Sequence, residues 1–515
     1  MASEARAAKR GPPSGADDDR KLGRGTAWVG IASGLSGVLD LITTVTCLWL
    51  WLSPAELGIA TLAGAMLPAL ERFAGLGMPA AMVRQGDGDR RALSTMLWLA
   101  VGGSCVVLAA TIGLGPRIAG LFGEPIIAGL LVGHGVKVML QTVHMVPEAL
   151  LRRELGFDAL TRVRIAASSG DAITKLVVAY AGAHGHPDLR VWCFVLGPLV
   201  NGAITSLGIQ LCRPWRPQLA FDRGVAARAL RYGAQVSGGE LLYFMYTNAD
   251  YLVIGRVWGD TAVGAYRLAY ELVLDVVRLI SLVTAEVAFP AFARIAGDRR
   301  RAGELLIRFT RQNAIALVPV VVFLAVAADD LLAVLYPPLP EAATTAARIL
   351  CVVGALRMIS FVLPATLAGL GHARDALVYH AVAAIVLPAG FAVAASVASA
   401  HGYVAIAWAW AAAYPIVFAV LLHRALVRCG VMLTNYLRQI AGVVSCGAAA
   451  AAIASVAHEV IPAYPLLRLV AVAAVVLAIY ALLLAHVERV TPRSLLRAVR
   501  GKPDPAHAAP GATGD

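Results

Sequence analysis

NADYLVIGRVWGDTAVGAYRLAYEL, residues 248–272, sets polar side chains among Leu, Val, Tyr and Gly. The polar residues in question are Asn248, Asp250, Arg256, Arg267 and Glu271. The surrounding chain of 515 residues is 59% hydrophobic and only 15% charged, whereas a globular domain is about a quarter charged. These polar side chains therefore belong to an unusually apolar chain, and the role of each depends on whether its segment crosses a membrane.

Apolar runs recur along the whole chain and set its fold class. The first, Val29–Trp51, contains a single charged residue, Asp40. It is long enough to cross a bilayer, which takes about 20 helical residues, and too long for the core of a signal peptide. The sequence therefore predicts an all-α polytopic membrane protein with a retained first helix.

The apolar runs predict fourteen transmembrane helices. They are 26–52, 57–82, 93–115, 118–149, 161–183, 189–212, 229–255, 262–290, 312–336, 342–370, 376–398, 402–424, 437–457 and 464–486. Segments with three or more Lys and Arg residues, with one exception, alternate with loops that hold no more than one such residue. Because basic loops stay in the cytoplasm, this alternation predicts that the N- and C-termini are both cytoplasmic. The predicted location of the protein is the inner cell membrane. The net charge of +12 follows from this topology, and no nucleic-acid partner is expected.

Two parts of the chain resemble each other. SPAELGIATLAGAMLPALERF (53–73) matches GDTAVGAYRLAYELVLDVVRL (259–279) at an offset of 206, and the offset drifts slowly upward further along. The matched pairs include Gly58 with Gly264, Arg72 with Arg278, and Asp89 with Asp298. Since each repeat holds six spans, both have one orientation, which predicts a substrate site between two parallel repeats.

The predicted organisation has six parts. They are a disordered cytoplasmic tail (1–25), an N-lobe with spans one to six (26–212), a cytoplasmic linker (213–228), a C-lobe with spans seven to twelve (229–424), spans thirteen and fourteen (437–486) and a basic cytoplasmic tail (487–515).

Charged side chains inside the predicted spans mark the candidate site. Each costs roughly 2.5–3.5 kcal/mol in hydrocarbon and must face protein or water. The candidate substrate-binding residues are Arg72, Arg278, Arg267, Arg357, Glu71 and Asn248. The candidate coupling-ion or proton sites are Asp40, Asp250, Asp275, Glu271 and Glu240.

Structural pairing is the alternative for several intramembrane charges. The helical spacing allows pairs of Arg267 with Glu271, Asp275 with Arg278, and Asp171 with Lys175. Packing or snorkelling is an equal alternative to function for Lys137, His144 and Glu148. Arg72 and Arg278 are different, because they occupy equivalent repeat positions, one in each half. Two facing arginines would form a clamp for a phosphate group.

The sequence lacks the motifs of several enzyme classes. It has no P-loop, no dinucleotide-binding G-x-G-x-x-G after a strand and no H-E-x-x-H. The seven cysteines include no C-x-x-C, so small buried side chains are expected rather than metal ligands. We therefore expect a transporter without cofactor or metal, not an enzyme.

The segment that opens this section also carries a family resemblance. It resembles the seventh-to-eighth-span signature of polysaccharide flippases, through Asn248, Asp250, Gly255, Gly264 and Tyr266. VAFPAFARIAGDRRR (287–301) and LGIATLAGAMLPALERFAGLGMPAAMVRQ (57–85) are similar to further parts of that family. These are the Wzx-type flippases for lipid-linked oligosaccharides, in the lipopolysaccharide and exopolysaccharide branch of the MOP (multidrug/oligosaccharidyl-lipid/polysaccharide) exporter superfamily.

The resemblance implies two six-helix lobes in a V that open alternately to either side. It implies a polyprenyl-pyrophosphate-linked glycan moved from the inner to the outer leaflet for surface polysaccharide synthesis. The implied partners are that lipid, membrane lipids, and a polysaccharide polymerase with its chain-length machinery. A cation-coupled multidrug or small-molecule exporter and a peptidoglycan-precursor flippase remain alternatives, and a membrane-embedded glycan polymerase is opposed by the short outside loops.

Overall fold

The structure is a computed structural model that describes residues 34–75, 78, 82, 89–154, 156–336, 339–461 and 464–488. In these residues the chain is helical and contains no strand. The predicted disordered tail (1–25) and nearly all of the predicted basic tail (487–515) lie outside the described residues.

The helices follow one another with short connections. They are α1 (Gly34–Leu50), α2 (Pro54–Gly64), α3 (Leu67–Gly75), α4 (Arg90–Phe122), α5 (Ile126–Arg153), α6 (Phe157–His184), α7 (Leu189–Cys212), α8 (Arg223–Trp258), α9 (Asp260–Tyr270), a π-helical turn (Glu271–Asp275), α10 (Val276–Arg294), α11 (Arg299–Val326), α12 (Ala328–Leu335), α13 (Glu341–Ser360), α14 (Val362–Gly369), α15 (Ala373–Val397), α16 (Val404–Cys429), α17 (Leu433–Val460) and α18 (Pro465–Val487).

Ten helices in the described part of the chain are long and apolar enough to cross a membrane. Among these ten, α2 with α3 and α13 with α14 each count as one helix. Four other predicted spans also lie on helices: α1 is apolar but shorter, and α6, α8 and α9–α10 fall outside the ten. The chain is therefore an all-helical, multi-pass membrane protein, as the sequence predicts, and the count of fourteen stays a prediction.

The chain divides into two compact units, Met1–Ala265 and Tyr266–Asp515. In the first unit α6 packs along α7, α4 packs along α5, and α8 contacts α2, α3 and α4. In the second, α15 packs along α16, α13 contacts both α11 and α16, and α17 lies between α11 and α18.

Two aspartates from the repeat comparison have the same local role. The Asp89 carboxylate accepts a hydrogen bond from the Ala92 N–H at 2.9 Å and caps α4. The Asp298 carboxylate accepts one from the Arg301 N–H at 3.0 Å and caps α11. Side-chain caps satisfy N–H groups that have no partner within the helix, so both residues fix a helix start.

The connection into α8 is also capped. Asp222 accepts hydrogen bonds from the backbone N–H groups of Gly224 and Val225 at 2.8 and 3.0 Å. These donors, the Val225 N–H foremost, hold the pKa of the Asp222 carboxyl below its usual value. The Asp222 N–H donates in turn to the Thr95 hydroxyl at 3.0 Å, which ties this connection to α4.

Ion pairs join the last two helices to the rest of the second unit. Asp330 of α12 is 2% exposed and accepts from Arg468 Nε of α18 at 2.6 Å and from His458 Nε2 of α17 at 3.0 Å. Arg311 of α11 pairs with Glu488, just after α18. Removing one member of a buried ion pair is strongly destabilising, so these contacts hold α17 and α18 in place.

Candidate functional site

The second predicted span is interrupted just before its charged residues. Ala65 and Met66 form a turn between α2 and α3, where the regular α-helix is interrupted. Glu71 on α3 then accepts from Lys137 Nζ at 3.1 Å and from Gln141 Nε2 at 2.9 Å, both on α5. Glu71 therefore connects two helices of the first unit in a half-buried polar cluster.

Arg72 points to a different neighbour. Its guanidinium lies over the Phe244 ring of α8, 5.3 Å from the ring centroid, which is a cation–π distance. One turn further along α8, Asn248 Nδ2 donates to the Phe244 carbonyl at 2.9 Å. The arginine of span two and the signature asparagine of span seven therefore both contact Phe244, although sequence analysis gives no role to this residue.

Asp250 is completely buried in the same helix. Its Oδ1 accepts from the backbone N–H of Tyr251 at 2.9 Å. Glu240 also lies on α8, but its side chain is outside the described part of the structure.

Two repeat-matched glycines bring α2 and α9 into backbone contact. A Cβ atom on Gly58 would lie 1.8 Å from the Asp260 carbonyl oxygen, and a Cβ atom on Gly264 would lie 1.8 Å from the Pro54 carbonyl oxygen. Pro54 and Asp260 are themselves separated by 206 residues, the offset of the two glycines. The contact is therefore reciprocal, like a contact between two symmetry-related copies. The two helices can approach this closely only because residues 58 and 264 are both glycine.

The eighth predicted span has its irregularity at the matching place. The π-helical turn begins at Glu271, which is 206 residues after Ala65. Arg267 Nε donates to Glu271 Oε1 at 2.6 Å at the start of this turn, and Arg278 Nε donates to Asp275 Oδ1 at 3.0 Å just after it. π-turns inside α-helices occur frequently at functional sites, and interrupted helices form the substrate sites of many transporters.

These two pairs differ in exposure. The Arg267 and Glu271 side chains are 24% and 26% exposed, whereas those of Arg278 and Asp275 are 45% and 41% exposed. The internal pairing that the spacing allows is therefore present in both cases. The Arg278–Asp275 pair lies nearer the protein surface than the Arg267–Glu271 pair.

Arg357 lies in an aromatic cage, where its side chain is largely hidden. The residue is 4% exposed, and its guanidinium is 4.6, 5.5 and 6.0 Å from the ring centroids of Trp410, Tyr414 and Tyr270. Arg357 Nη1 donates to the Tyr270 hydroxyl at 3.1 Å. Tyr270 immediately precedes the π-helical turn, so Arg357 contacts the start of that turn from within the second unit.

Asp40 belongs to a three-residue cluster of the first unit. Lys175 Nζ of α6 lies 2.5 Å from Asp40 Oδ1 and 3.2 Å from Asp171 Oδ2. The Lys175 side chain is 8% exposed and that of Asp40 is 57% exposed. The pairing of Asp171 with Lys175 is therefore real, and sequence spacing alone does not reveal the third member, Asp40.

The structure groups the candidates by unit. Glu71, Arg72, Asn248, Asp250 and Asp40 lie in the first unit, and Arg267, Glu271, Asp275, Arg278 and Arg357 lie in the second. Gln141 and Phe244 were not predicted from the sequence, because an amide and an aromatic ring carry no charge signal inside an apolar run. The described residues contain no group of three or more His, Cys, Asp and Glu that could hold a metal ion.

Residues 51–337 match the model of the family described as "Polysaccharide biosynthesis protein". The chain is 24% identical over 342 residues to the lipopolysaccharide biosynthesis protein WzxC of Escherichia coli, with 65% of this chain and 67% of WzxC covered. It is 22% identical over 294 residues to the teichuronic acid biosynthesis protein TuaB of Bacillus subtilis, covering 55% of this chain and 58% of TuaB, less than two thirds of that relative.

Solved structures share the fold. The lipid II flippase MurJ in an inward closed conformation has a TM-score of 0.70 at 13% identity, with 89% of this chain and 98% of MurJ covered. An inward-facing multidrug resistance MATE family transporter of the MOP superfamily has a TM-score of 0.59 at 17% identity, with 76% and 95% covered. At such identities the likeness concerns the fold alone, and the family follows from the sequence match over more than half of the chain. The chain belongs to the polysaccharide biosynthesis protein family, within the fold of the MOP superfamily transporters.

Proposed function

We propose that this protein moves a polyprenyl-pyrophosphate-linked oligosaccharide from the inner to the outer leaflet of the cytoplasmic membrane, for the synthesis of a surface polysaccharide. The observation that carries the proposal is the family match over 51–337, because that range contains both repeat-matched charged stretches. The names of the matched relatives support it, since WzxC is described as a lipopolysaccharide biosynthesis protein and TuaB as a teichuronic acid biosynthesis protein.

The proposed architecture has fourteen spans, with both termini in the cytoplasm. The N-lobe (26–212) and the C-lobe (229–424) are parallel repeats, and 437–486 forms two additional spans. The matching caps of Asp89 and Asp298 support the repeat, as do the matching irregularities at Ala65 and Glu271.

The substrate head is anionic and the tail is apolar. We propose that Arg72 and Arg278 bind the pyrophosphate, because a guanidinium group can donate two parallel hydrogen bonds to the oxygens of one phosphate. Arg267, Arg357, Glu71 and Asn248 complete the proposed cavity, with Arg357 acting through Tyr270 rather than by touching the lipid. The polyprenyl chain remains in the bilayer throughout.

Movement of the lobes changes access to the cavity by alternating access. We assign the outer hinge to the crossing of α2 and α9 at Gly58 and Gly264, because a contact between two backbones can break and reform without rearranging side chains. A cation or proton gradient or the membrane potential drives the cycle, and Asp40, Asp250, Asp275, Glu271 and Glu240 are the acidic candidates for coupling.

The test is mass spectrometry of lipid extracts from cells with and without this protein. Disruption is expected to remove a surface polysaccharide and to accumulate a polyprenyl-pyrophosphate oligosaccharide, whose mass identifies the glycan. If cells without the protein have unchanged lipid-linked intermediates and are more sensitive to cationic drugs, the result would contradict the flippase function and favour drug export. Accumulation of a peptidoglycan precursor would instead identify a precursor flippase.

A further inference from the structure

One face of α5 carries polar side chains along much of its length. The residues are Lys137, Gln141, His144, Glu148 and Arg152, spaced by four, three, four and four residues. Such spacing places them along one side of a helix. Glu71 binds the first two, as described above, and the other three form a separate cluster that the proposed function does not use.

The hydrogen bonds of Ser206 fix the state of the His144 ring. The Ser206 hydroxyl donates to the Leu140 carbonyl at 3.0 Å, because a carbonyl can only accept. His144 Nδ1 lies 2.9 Å from the same hydroxyl oxygen. The single hydroxyl hydrogen is already used, so Nδ1 must carry a hydrogen and donate it to Ser206. Nε2 is then a bare acceptor in the neutral ring.

The bare Nε2 faces a carboxylate. It lies 3.5 Å from Glu148 Oε2, and two acceptors at this distance repel each other. A proton on Nε2 turns this repulsion into an ion pair while the bond to Ser206 is kept. The other oxygen of Glu148 accepts from Arg152 Nε at 2.9 Å and Nη2 at 2.7 Å, so the carboxylate is held in position for the imidazole.

The cluster leads from the protein interior to solvent. The side chains of His144, Glu148 and Arg152 are 10%, 26% and 49% exposed. Arg152 lies next to the last residue of α5, which the predicted topology assigns to the cytoplasmic side. Water at this end of α5 can therefore exchange a proton with Nε2 past Glu148.

Other helices packed on α5 bring few ionisable groups near this imidazole. On α7, which carries Ser206, no ionisable side chain lies between Cys193 and Cys212. α4 has only Cys105, which is exposed, between its terminal arginines. The arginines of α6 at this end, Arg162 and Arg164, are exposed. The remaining neighbours, α2 and α3, have their acidic groups engaged by other residues: Glu56 by Ser53 and Arg190, and Glu71 by Lys137 and Gln141.

We propose that His144 is the proton-binding site of this transporter, with Nε2 taking a proton from cytoplasmic water beside Glu148 and returning it to water during the cycle. The inference rests on the proposed function for its role in transport, but the proton site itself does not. Among the acidic candidates, the carboxylates of Asp40, Glu271 and Asp275 each already hold a cationic side chain. His144 differs because its geometry provides a place for a proton and an anion to balance it.

The first experiment is ¹⁵N solid-state NMR of the full-length protein in lipid bilayers, with labelled histidine and the His144 signal assigned by its loss in His144→Gln. At pH 9 we expect a neutral ring protonated at Nδ1. As the pH is lowered from 9 to 5, the Nε2 signal should move towards the protonated position. In Glu148→Gln the titration midpoint should fall by about one pH unit or more, because the opposing charge is gone.

The matched control is His134→Gln on the same helix, since His134 is buried and pairs with no carboxylate in the described structure. It should leave the His144 titration unchanged. A His144 ring protonated at Nε2 at pH 9, an absence of titration down to pH 5, or a midpoint insensitive to Glu148→Gln would each overturn the proposal.

The second experiment measures the rate at which lipid-linked intermediates are cleared at cytoplasmic pH 6 and pH 8. The wild-type and His134→Gln rates should differ at least about threefold between the two pH values, and the His144→Gln rates should not. If His144→Gln keeps the wild-type pH dependence, His144 is not the coupling site although the flippase function stands. If no lipid-linked intermediate responds to the protein, the proposed function fails, and the NMR titration still decides the proton site.

Discussion

The stretches 53–73 and 259–279 share a pattern in sequence but differ in what surrounds it. Both begin with the reciprocal glycine contact, and both have a break in regular α-helix at the matching position, Ala65 or Glu271. Beyond the break they diverge. The first stretch ties its acid to another helix through Lys137 and Gln141, whereas the second pairs its charges along its own helix. The two stretches are therefore more alike in backbone geometry than in the partners of their charged side chains.

The largest expected effect tests the part that the stretches share. Gly58→Ala places a Cβ atom 1.8 Å from a backbone oxygen, which no side-chain rotation relieves. We expect a loss of about 3 kcal/mol in stability, at the upper end of overpacking effects. Thermal unfolding of the purified protein measures it, and Gly264→Ala should behave alike.

Gly64→Ala is the matched control, because it is on the same helix and no atom lies within 4 Å of its added Cβ. The double variant Gly58→Ala/Gly264→Ala should cost less than the sum of the two, since one separation of the helices accommodates both methyl groups. A Gly58→Ala variant as stable as Gly64→Ala would contradict the reciprocal contact.

The second prediction concerns the two repeat-matched arginines. Replacing both Arg72 and Arg278 by Gln should lower clearance of lipid-linked intermediates at least about tenfold, because each charge-assisted bond to a phosphate contributes about 1.5–3 kcal/mol. Mass spectrometry of lipid extracts provides the measurement. Arg300→Gln is a control, since its side chain is 90% exposed and the residue lies outside both stretches. Normal clearance in the double variant would rule out the clamp.

The sequence predicts the symmetric features better than the asymmetric ones. The apolar runs predict an all-helical chain, and helical spacing indicates the pairs Arg267–Glu271 and Asp275–Arg278, both of which the structure contains. The match of Gly58 with Gly264 is visible as well, because two positions that both require glycine leave a signal in the sequence.

Contacts between distant helices are not predictable in this way. Nothing local links Glu71 to Gln141, Arg72 to Phe244, or Arg357 to Trp410. The π-helical turn is equally hidden, because nothing in the sequence of Glu271–Asp275 distinguishes it from an ordinary α-helix. The burial of Arg357 depends on aromatic residues of α16, about fifty residues later in the chain.

The third prediction compares the two acids. Glu71→Ala removes hydrogen bonds to Lys137 and Gln141 that join two helices, and it should cost about 1–2 kcal/mol of stability. Asp275→Ala breaks an exposed pair within one helix and should cost less than about 0.5 kcal/mol. Thermal unfolding of the two variants side by side gives the comparison. Equal losses would mean that the two stretches do not differ in how their acids are held.

The smallest expected effect is a difference in stability between Arg72→Lys and Arg278→Lys, which have different neighbouring side chains. Arg72→Lys keeps the charge but loses the planar group over Phe244, and it should cost about 0.5–1 kcal/mol. Arg278→Lys exchanges one exposed cation for another beside Asp275 and should leave stability unchanged within error. Phe244→Leu distinguishes stacking from a general packing effect: in that background, Arg72→Lys should cost less than it does in the wild-type protein. An equal cost of Arg72→Lys with and without the ring would show that stacking on Phe244 does not distinguish the two arginines.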